Sequence, residues 1–142
     1  MTIATILANK GEAVVSVDAG STIGAAMALL AERRIGAVPV MVAGEVAGVF
    51  SERDVIRCLA ARGAVVLDRP VTDGMTAPAV TVSPQEPVIA ALSLMSRRRI
   101  RHLPVLDGGR LVGFVSIGDL VKHRIDRIEA DAEAMRSYIT QV

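Results

Sequence analysis

Residues 51–54 and 116–119 spell one pattern, Ser-x-x-Asp, at a spacing of 65 residues, and that register extends across nearly the whole chain. Pro104 falls on Pro39, Val105 on Val40, Gly109 on Gly44, Gly113 on Gly48, Val82 on Val17 and Ala91 on Ala26. Arg98, Arg99 and Ile100 fall on Arg33, Arg34 and Ile35, and no gap is needed. A duplication of fixed period decides the architecture before any local reading does. Each copy alone is too small to bury a good core. The 142 residues are therefore expected to stack two copies about an approximate twofold axis, with any site in one copy mirrored in the other.

Composition narrows the function. The aromatic share is 2%, with no Trp, one Tyr and two Phe, which argues against an aromatic-stacking surface for single-stranded nucleic acid. A net charge of +1 gives no global attraction to polyanions. Cys58, the single cysteine, has no disulfide partner, and no Cys/His spacing suggests a metal site. It reads as a small buried hydrophobe in a reducing compartment. The N-terminus lacks the basic start and long apolar run of a signal peptide. The longest uncharged stretch, Ala19 to Ala31, falls short of the ~20 residues that span a bilayer. A soluble cytoplasmic protein with no membrane contact is expected.

Each copy reads strand, helix, strand, strand, helix. In the first, Val14–Val17 is an apolar run suited to a buried strand. Ser21 and Thr22 can cap a helix whose Ile23, Ala26, Met27 and Leu30 share a face, with Gly36 as its stop. Val38–Val42 and Val46–Phe50 form a hairpin through Ala43-Gly44-Glu45, followed by a helix over Glu52–Ala61. In the second, Val80–Val82 is the strand, Pro87 opens the helix, and a hairpin turns around Asp107-Gly108-Gly109. Residues 63–74 read as a connector. Beyond the repeat, Val121, Ile125, Ile128, Ala132, Met135 and Ile139 are spaced 4, 3, 4, 3, 4. This narrow seam either packs on the chain's own N-terminal helix or joins two copies, and a homodimer is the favoured expectation.

The Ser-x-x-Asp pairs have a structural role, a serine cap with a carboxylate complementing the helix dipole. The same geometry suits a nucleotide. A helix N-terminus with a free hydroxyl receives a phosphate, and the neighbouring carboxylate accepts from ribose hydroxyls. The first strands, with Val17 and Val80, offer apolar surface for a purine. Arg53, Arg101, His102 and Lys122 could balance phosphate charge. The run Arg97-Arg98-Arg99-x-Arg101-His102 reads in part as a solvated helix end. As a nucleic-acid patch it is weak for a chain of balanced charge. His123 is expected on the exposed face of the last helix. No paired carboxylates, metal cluster, triad or phosphate-binding Gly loop is visible, so an enzyme is not expected.

Ile35-Gly36-Ala37-Val38-Pro39-Val40 with Gly48-Val49-Phe50-Ser51-Glu52-Arg53-Asp54 resembles the CBS domain. Met75-Thr76, Ile100-Arg101-His102-Leu103-Pro104-Val105 and Gly113 to Asp119 repeat the likeness, so the chain looks like a CBS pair, or Bateman module. The layout is similar to short bacterial stand-alone CBS-pair proteins. The resemblance implies an α+β fold of two CBS repeats packed with pseudo-twofold symmetry, plus an extended C-terminal helix. The expected bounds are residues 12–62 and 75–125 for the repeats, 63–74 for the linker and 126–142 for the extension. It also implies a non-catalytic sensor that needs no cofactor and takes an adenine nucleotide as regulatory ligand, signalling to a regulated protein. AMP is favoured, then ATP or ADP, or NAD(H). Carried over by position, Asp54 and Asp119 would hold ribose, Ser51 and Ser116 would lie near phosphate, and Arg101 and His102 would approach the phosphates. Where the second copy has Arg101-His102 the first has Gly36-Ala37, preceded by Ile35, so unequal clefts are expected. The alternatives are a protein-interaction module without a ligand and, further off, a nucleic-acid binder or nucleotide-processing enzyme.

Overall fold

In the computed structural model, which describes residues 1–11 and 13–141, the 65-residue register reappears as hydrogen bonding. Strands β2 (Ala37–Val42) and β3 (Glu45–Ser51) form one antiparallel hairpin, and β4 (His102–Asp107) and β5 (Arg110–Ser116) the other. Both hairpins shift register at the same place, between Val40 and Met41 and between Val105 and Leu106. Strand β1 (Val17–Asp18) joins β2 in parallel with Val17 opposite Val40. In the second copy only Val82 pairs, as a lone parallel bridge to Val105. The apolar runs 14–17 and 80–82 thus overstate the strands, because only one or two residues of each lie beside a partner strand. The sequence-expected hairpins, by contrast, form as read.

Helix α2 (Ile23–Arg33) starts where Thr22 Oγ1 accepts from the Ala25 N–H. It does not run to Gly36. Arg34 ends it in the left-handed region at φ 54, with the Ile35 N–H bonded to the Leu30 carbonyl and the Arg34 N–H to Ala31. This Schellman closure satisfies the terminal carbonyls without a glycine. The mate helix, α4 (Val88–Arg98), has Pro87 as its N-cap and closes on Arg99 at φ 55. Helices α3 (Glu52–Arg62) and α5 (Ile117–Thr140) complete the two copies.

Two cores result. Val17, Ile23, Ala26, Leu30, Val38, Val40, Phe50 and Cys58 bury the first copy's interior. Val66 and Val71 join them from two short 3-10 turns, Gly63–Asp68 and Val71–Asp73, so the stretch read as a connector is packed into the first copy. The second core contains Val82, Val88, Ala91, Met95, Leu103, Val105, Val115 and Leu120, and also Ile3 and Ile6 of helix α1 (Ile3–Lys10). Each copy is therefore completed by the segment that precedes the other. Residues at 65-residue spacing mark the two junctions. A Cβ on Gly48 would meet the Thr76 carbonyl oxygen at 2.7 Å, and one on Gly113 would strike the Leu7 side chain.

A candidate nucleotide cleft between the repeats

Both Ser-x-x-Asp pairs form full capping boxes. Ser51 accepts from the Asp54 N–H while the Asp54 carboxylate accepts from the Ser51 N–H, and Ser116 and Asp119 do the same. Here the equivalence ends. Asp54 is 4% exposed, and both of its oxygens are fully engaged. Oδ2 accepts from the Ser51 amide at 2.9 Å and hydroxyl at 3.1 Å, and Oδ1 from Arg57 Nη2 at 2.8 Å and Thr76 Oγ1 at 3.0 Å. A carboxylate has about four acceptor positions, and those of Asp54 are taken. The hydrogen bond to Asp54 is also the main reason the Arg57 guanidinium is raised above its ordinary value.

Asp119 is more open. Its Oδ2 accepts from Lys10 Nζ at 2.7 Å and from the Ser116 N–H at 2.9 Å, and Lys10 also reaches the Phe114 carbonyl at 2.7 Å. Burial pushes this carboxyl upward, but the Lys10 ammonium and the Ser116 donors outweigh it and hold it below the usual carboxylate range.

A cavity of about 250 Å³ opens beside Asp54. Ser51, Glu52, Arg53 and Asp54 line it from the start of α3, and Gly36 and Val49 from the first hairpin. Thr76 and Pro78–Val80 line it from the leader of the second copy, and Arg99–His102 from the approach to β4. Arg53 spans the mouth, donating from Nη1 to the Arg99 carbonyl at 3.3 Å. Arg53, Arg99 and Arg101 thus share the lining with the apolar Val80 and Ile100, with a helix N-terminus at one side. His102 stacks on Phe114 with ring centroids 5.7 Å apart, and its imidazole lies against Gly36. Burial, then the Lys10 charge, hold it below the ordinary histidine value, against the opposite pull of Asp119 and Glu52.

The mirror position lacks these groups. A shift of 65 residues replaces Arg53 by Gly118, Glu52 by Ile117, Arg101 by Gly36 and Thr76 by Gly11. Arg53 and Arg101 are therefore particular to this cleft, whereas Arg99 keeps Arg34 as its mate and Lys10 stands at Asp119. Of the residues singled out from the sequence, Ser51, Arg53, Asp54, Gly36, Val80, Arg101 and His102 line this cavity. Val17, Ile35 and Ala37 do not: Val17 and Ala37 are buried, and Ile35 packs against the first core. Asp119 stands apart with Lys10, and Ser116 caps α5. His123 is not on an open face. It is half-buried beside α1, with Nε2 lacking a hydrogen-bond partner among the described residues. Arg99, Ile100 and Lys10 were not picked out as site residues. Their roles follow from packing between copies, which residue spacing within one copy does not encode. Among the described residues there is no cluster suited to a metal ion, and no helix long and apolar enough to cross a membrane.

Comparison with known proteins agrees with the repeat. The CBS domain matches residues 11–61 and again 69–126. The CBS domain-containing protein YhcV of Bacillus subtilis is 32% identical over 117 residues, 82% of this chain and 83% of that protein. The crystal structure of a CBS-domain containing protein from Agrobacterium tumefaciens superposes with a TM-score of 0.84 at 38% identity, covering 87% of this chain and 99% of that one. A CBS domain protein from Pyrobaculum aerophilum, complexed with AMP, superposes with a TM-score of 0.74 at 32% identity, covering 84% and 89%. With both copies matched in tandem, the chain belongs to the CBS-domain family, as a pair of repeats.

Proposed function

We propose that this chain is a non-catalytic regulatory module that binds an adenine nucleotide in the Asp54 cleft and reports its presence to a regulated protein in the cytoplasm. The observation that carries the reading is the gathering of Arg53, Arg99 and Arg101 around an apolar slot at the N-terminus of α3, with Arg53 and Arg101 lacking a basic mate in the other copy. The Pyrobaculum relative complexed with AMP supports the ligand class. AMP ranks first, before ADP, ATP or NAD(H). The volume falls just under the usual range of roughly 300–1,000 Å³ for ligand pockets and favours one compact nucleotide over a dinucleotide. The adenine lies on Val80 and Ile100 and the phosphate meets the arginines. The ribose hydroxyls reach Asp54 by replacing the Thr76 or Ser51 hydroxyl. Because the cleft walls come from both copies, a bound nucleotide favours one relative packing of the repeats, and that difference in affinity is what shifts the equilibrium. The chain acts as a homodimer through the seam of α5.

A second reading, a protein-interaction module with no ligand, draws on Asp54 itself, whose acceptor positions are already filled. Calorimetric titration of AMP, ADP, ATP, NAD, NADH and adenosine separates the two. The expected result is binding of AMP ahead of adenosine. It should weaken about tenfold or more in Arg101→Met, which removes a charge-assisted hydrogen bond of about 1.5–3 kcal/mol, and stay unchanged in Asp119→Asn. Heat from none of the six ligands would favour the interaction module.

A further inference from the structure

The seam of α5 is uncovered. Val121, Ile125, Ile128, Met135 and Ile139 are 42% to 62% exposed, while Leu120, the residue before the seam, is fully buried in the second core. The chain's own α1 does not fill the role, because it meets α5 on a different face, at Asp119, Lys122, His123 and Asp126. The exposed residues recur at the heptad spacing of a two-stranded coiled coil, with Ile125, Ala132 and Ile139 at a positions and Val121, Ile128 and Met135 at d.

The flanking charges select the partner and its direction. The g positions are Arg124, Asp131 and Tyr138, and the e positions Lys122, Glu129 and Arg136. In a parallel, in-register pair each g residue faces the e residue five positions on in the other strand. Arg124 then faces Glu129 and Asp131 faces Arg136, both opposite in charge, and twofold symmetry makes each pair twice. In a fully overlapped antiparallel pair Glu129 faces Glu129, Asp131 faces Asp131 and Lys122 faces Arg136, all like charges. Among the described residues, Asp131 and Arg136 are otherwise engaged only in exposed pairs within the helix, Arg127–Asp131 at 3.9 Å and Arg136–Glu133 at 3.0 Å, which are weak enough to exchange.

We infer that residues 121–139 of α5 dock on the same segment of a second copy as a parallel, in-register coiled coil, with Arg124–Glu129 and Asp131–Arg136 as the pairs that set its direction. This rests on the homodimer reading and adds its geometry. The coil spans about 27 Å at 1.5 Å per residue, and a parallel arrangement places the two CBS pairs it carries at the same end.

The test uses the full chain in a Cys58→Ala background. Sedimentation should give a dimer, and Ile139→Cys should link to itself under mild oxidation, while Ser137→Cys, on the outer face, should not. Antiparallel strands would hold the two residues at position 139 about 27 Å apart, far beyond the ~7 Å Cα separation that a disulfide spans. Glu129→Arg should raise the dimer dissociation constant about tenfold, through two new like-charge contacts plus the loss of two attractive ones, and Arg124→Glu in the same chain should restore it. A dimer that shows neither the Ile139→Cys link nor the charge-swap rescue overturns the parallel arrangement and leaves the homodimer standing. A monomer at high micromolar concentration overturns both.

Discussion

Arg34 and Arg99 are the same residue of the repeat, and both carry a left-handed backbone at φ 54 and 55. For a residue with a Cβ this conformation costs about 1 kcal/mol. At Arg34 the turn closes the helix and the exposed side chain has no hydrogen bond or ion pair among the described residues, whereas at Arg99 the same turn sets Arg99 and Ile100 in the cleft lining. Arg34→Gly should therefore raise unfolding stability by about 1 kcal/mol and leave nucleotide affinity alone. Arg99→Gly should raise stability similarly and weaken AMP binding several-fold. Urea denaturation with titration calorimetry on both variants checks the pair. The two aspartates show the same lesson from the other side. Their serine caps were legible; that each carboxylate also accepts from the serine N–H to close a capping box was not. What was not legible is that Thr76 and Arg57 would saturate Asp54 while Lys10 alone came to Asp119 from outside its own copy. Identical tetrapeptides become different sites because donors from elsewhere complete them.

Among the elements, α1 is the one whose place the repeat did not announce. Ile3 and Ile6 are buried in the second core, and Lys10 ties the helix end to Asp119. The folded state holds Asp119 below its usual value, so the native carboxylate stays ionised at pH values where the unfolded chain has already taken up its proton. Its contribution is therefore complete above the unfolded pKa and is lost as pH falls through the folded one. Lys10→Met should remove much of that depression. At neutral pH it should cost under about 1 kcal/mol, since the pair is partly exposed, and the acid limb below the ordinary Asp value of about 3.9 should flatten. Urea melts of wild type and variant across that range would show it, and equal acid slopes would count against the contact. The hairpins, α2 and α3 were readable from apolar patterning and turn residues. The leading strands shrank to one or two residues, and the connector became part of a core. Period-2 or apolar patterning marks a segment for burial but does not say which neighbour buries it.

Across the whole molecule, the junction between one copy and the other's leader is where fold and function meet. Val49 and Thr76 exchange backbone hydrogen bonds, 2.9 and 2.8 Å, directly beside Gly48. Gly48→Ala would drive a Cβ into the Thr76 backbone, and should cost about 1–3 kcal/mol and weaken the cleft that Thr76 and Val80 line. Gly113→Ala meets only the flexible end of Leu7 and should cost less. A reversed order of the two in denaturant unfolding would contradict the close approach described here. The sequence by itself determined the twofold architecture, the hairpins and serine caps, the family and the heptad seam, because each is written in residues close together or repeated at a fixed interval. Only the tertiary structure decided which cleft collects the arginines, which aspartate is saturated, and that the face of α5 turned to α1 is not its apolar seam. Those outcomes depend on segments far apart in the chain crossing from one copy to the other, and no local pattern records where a crossing segment comes to rest.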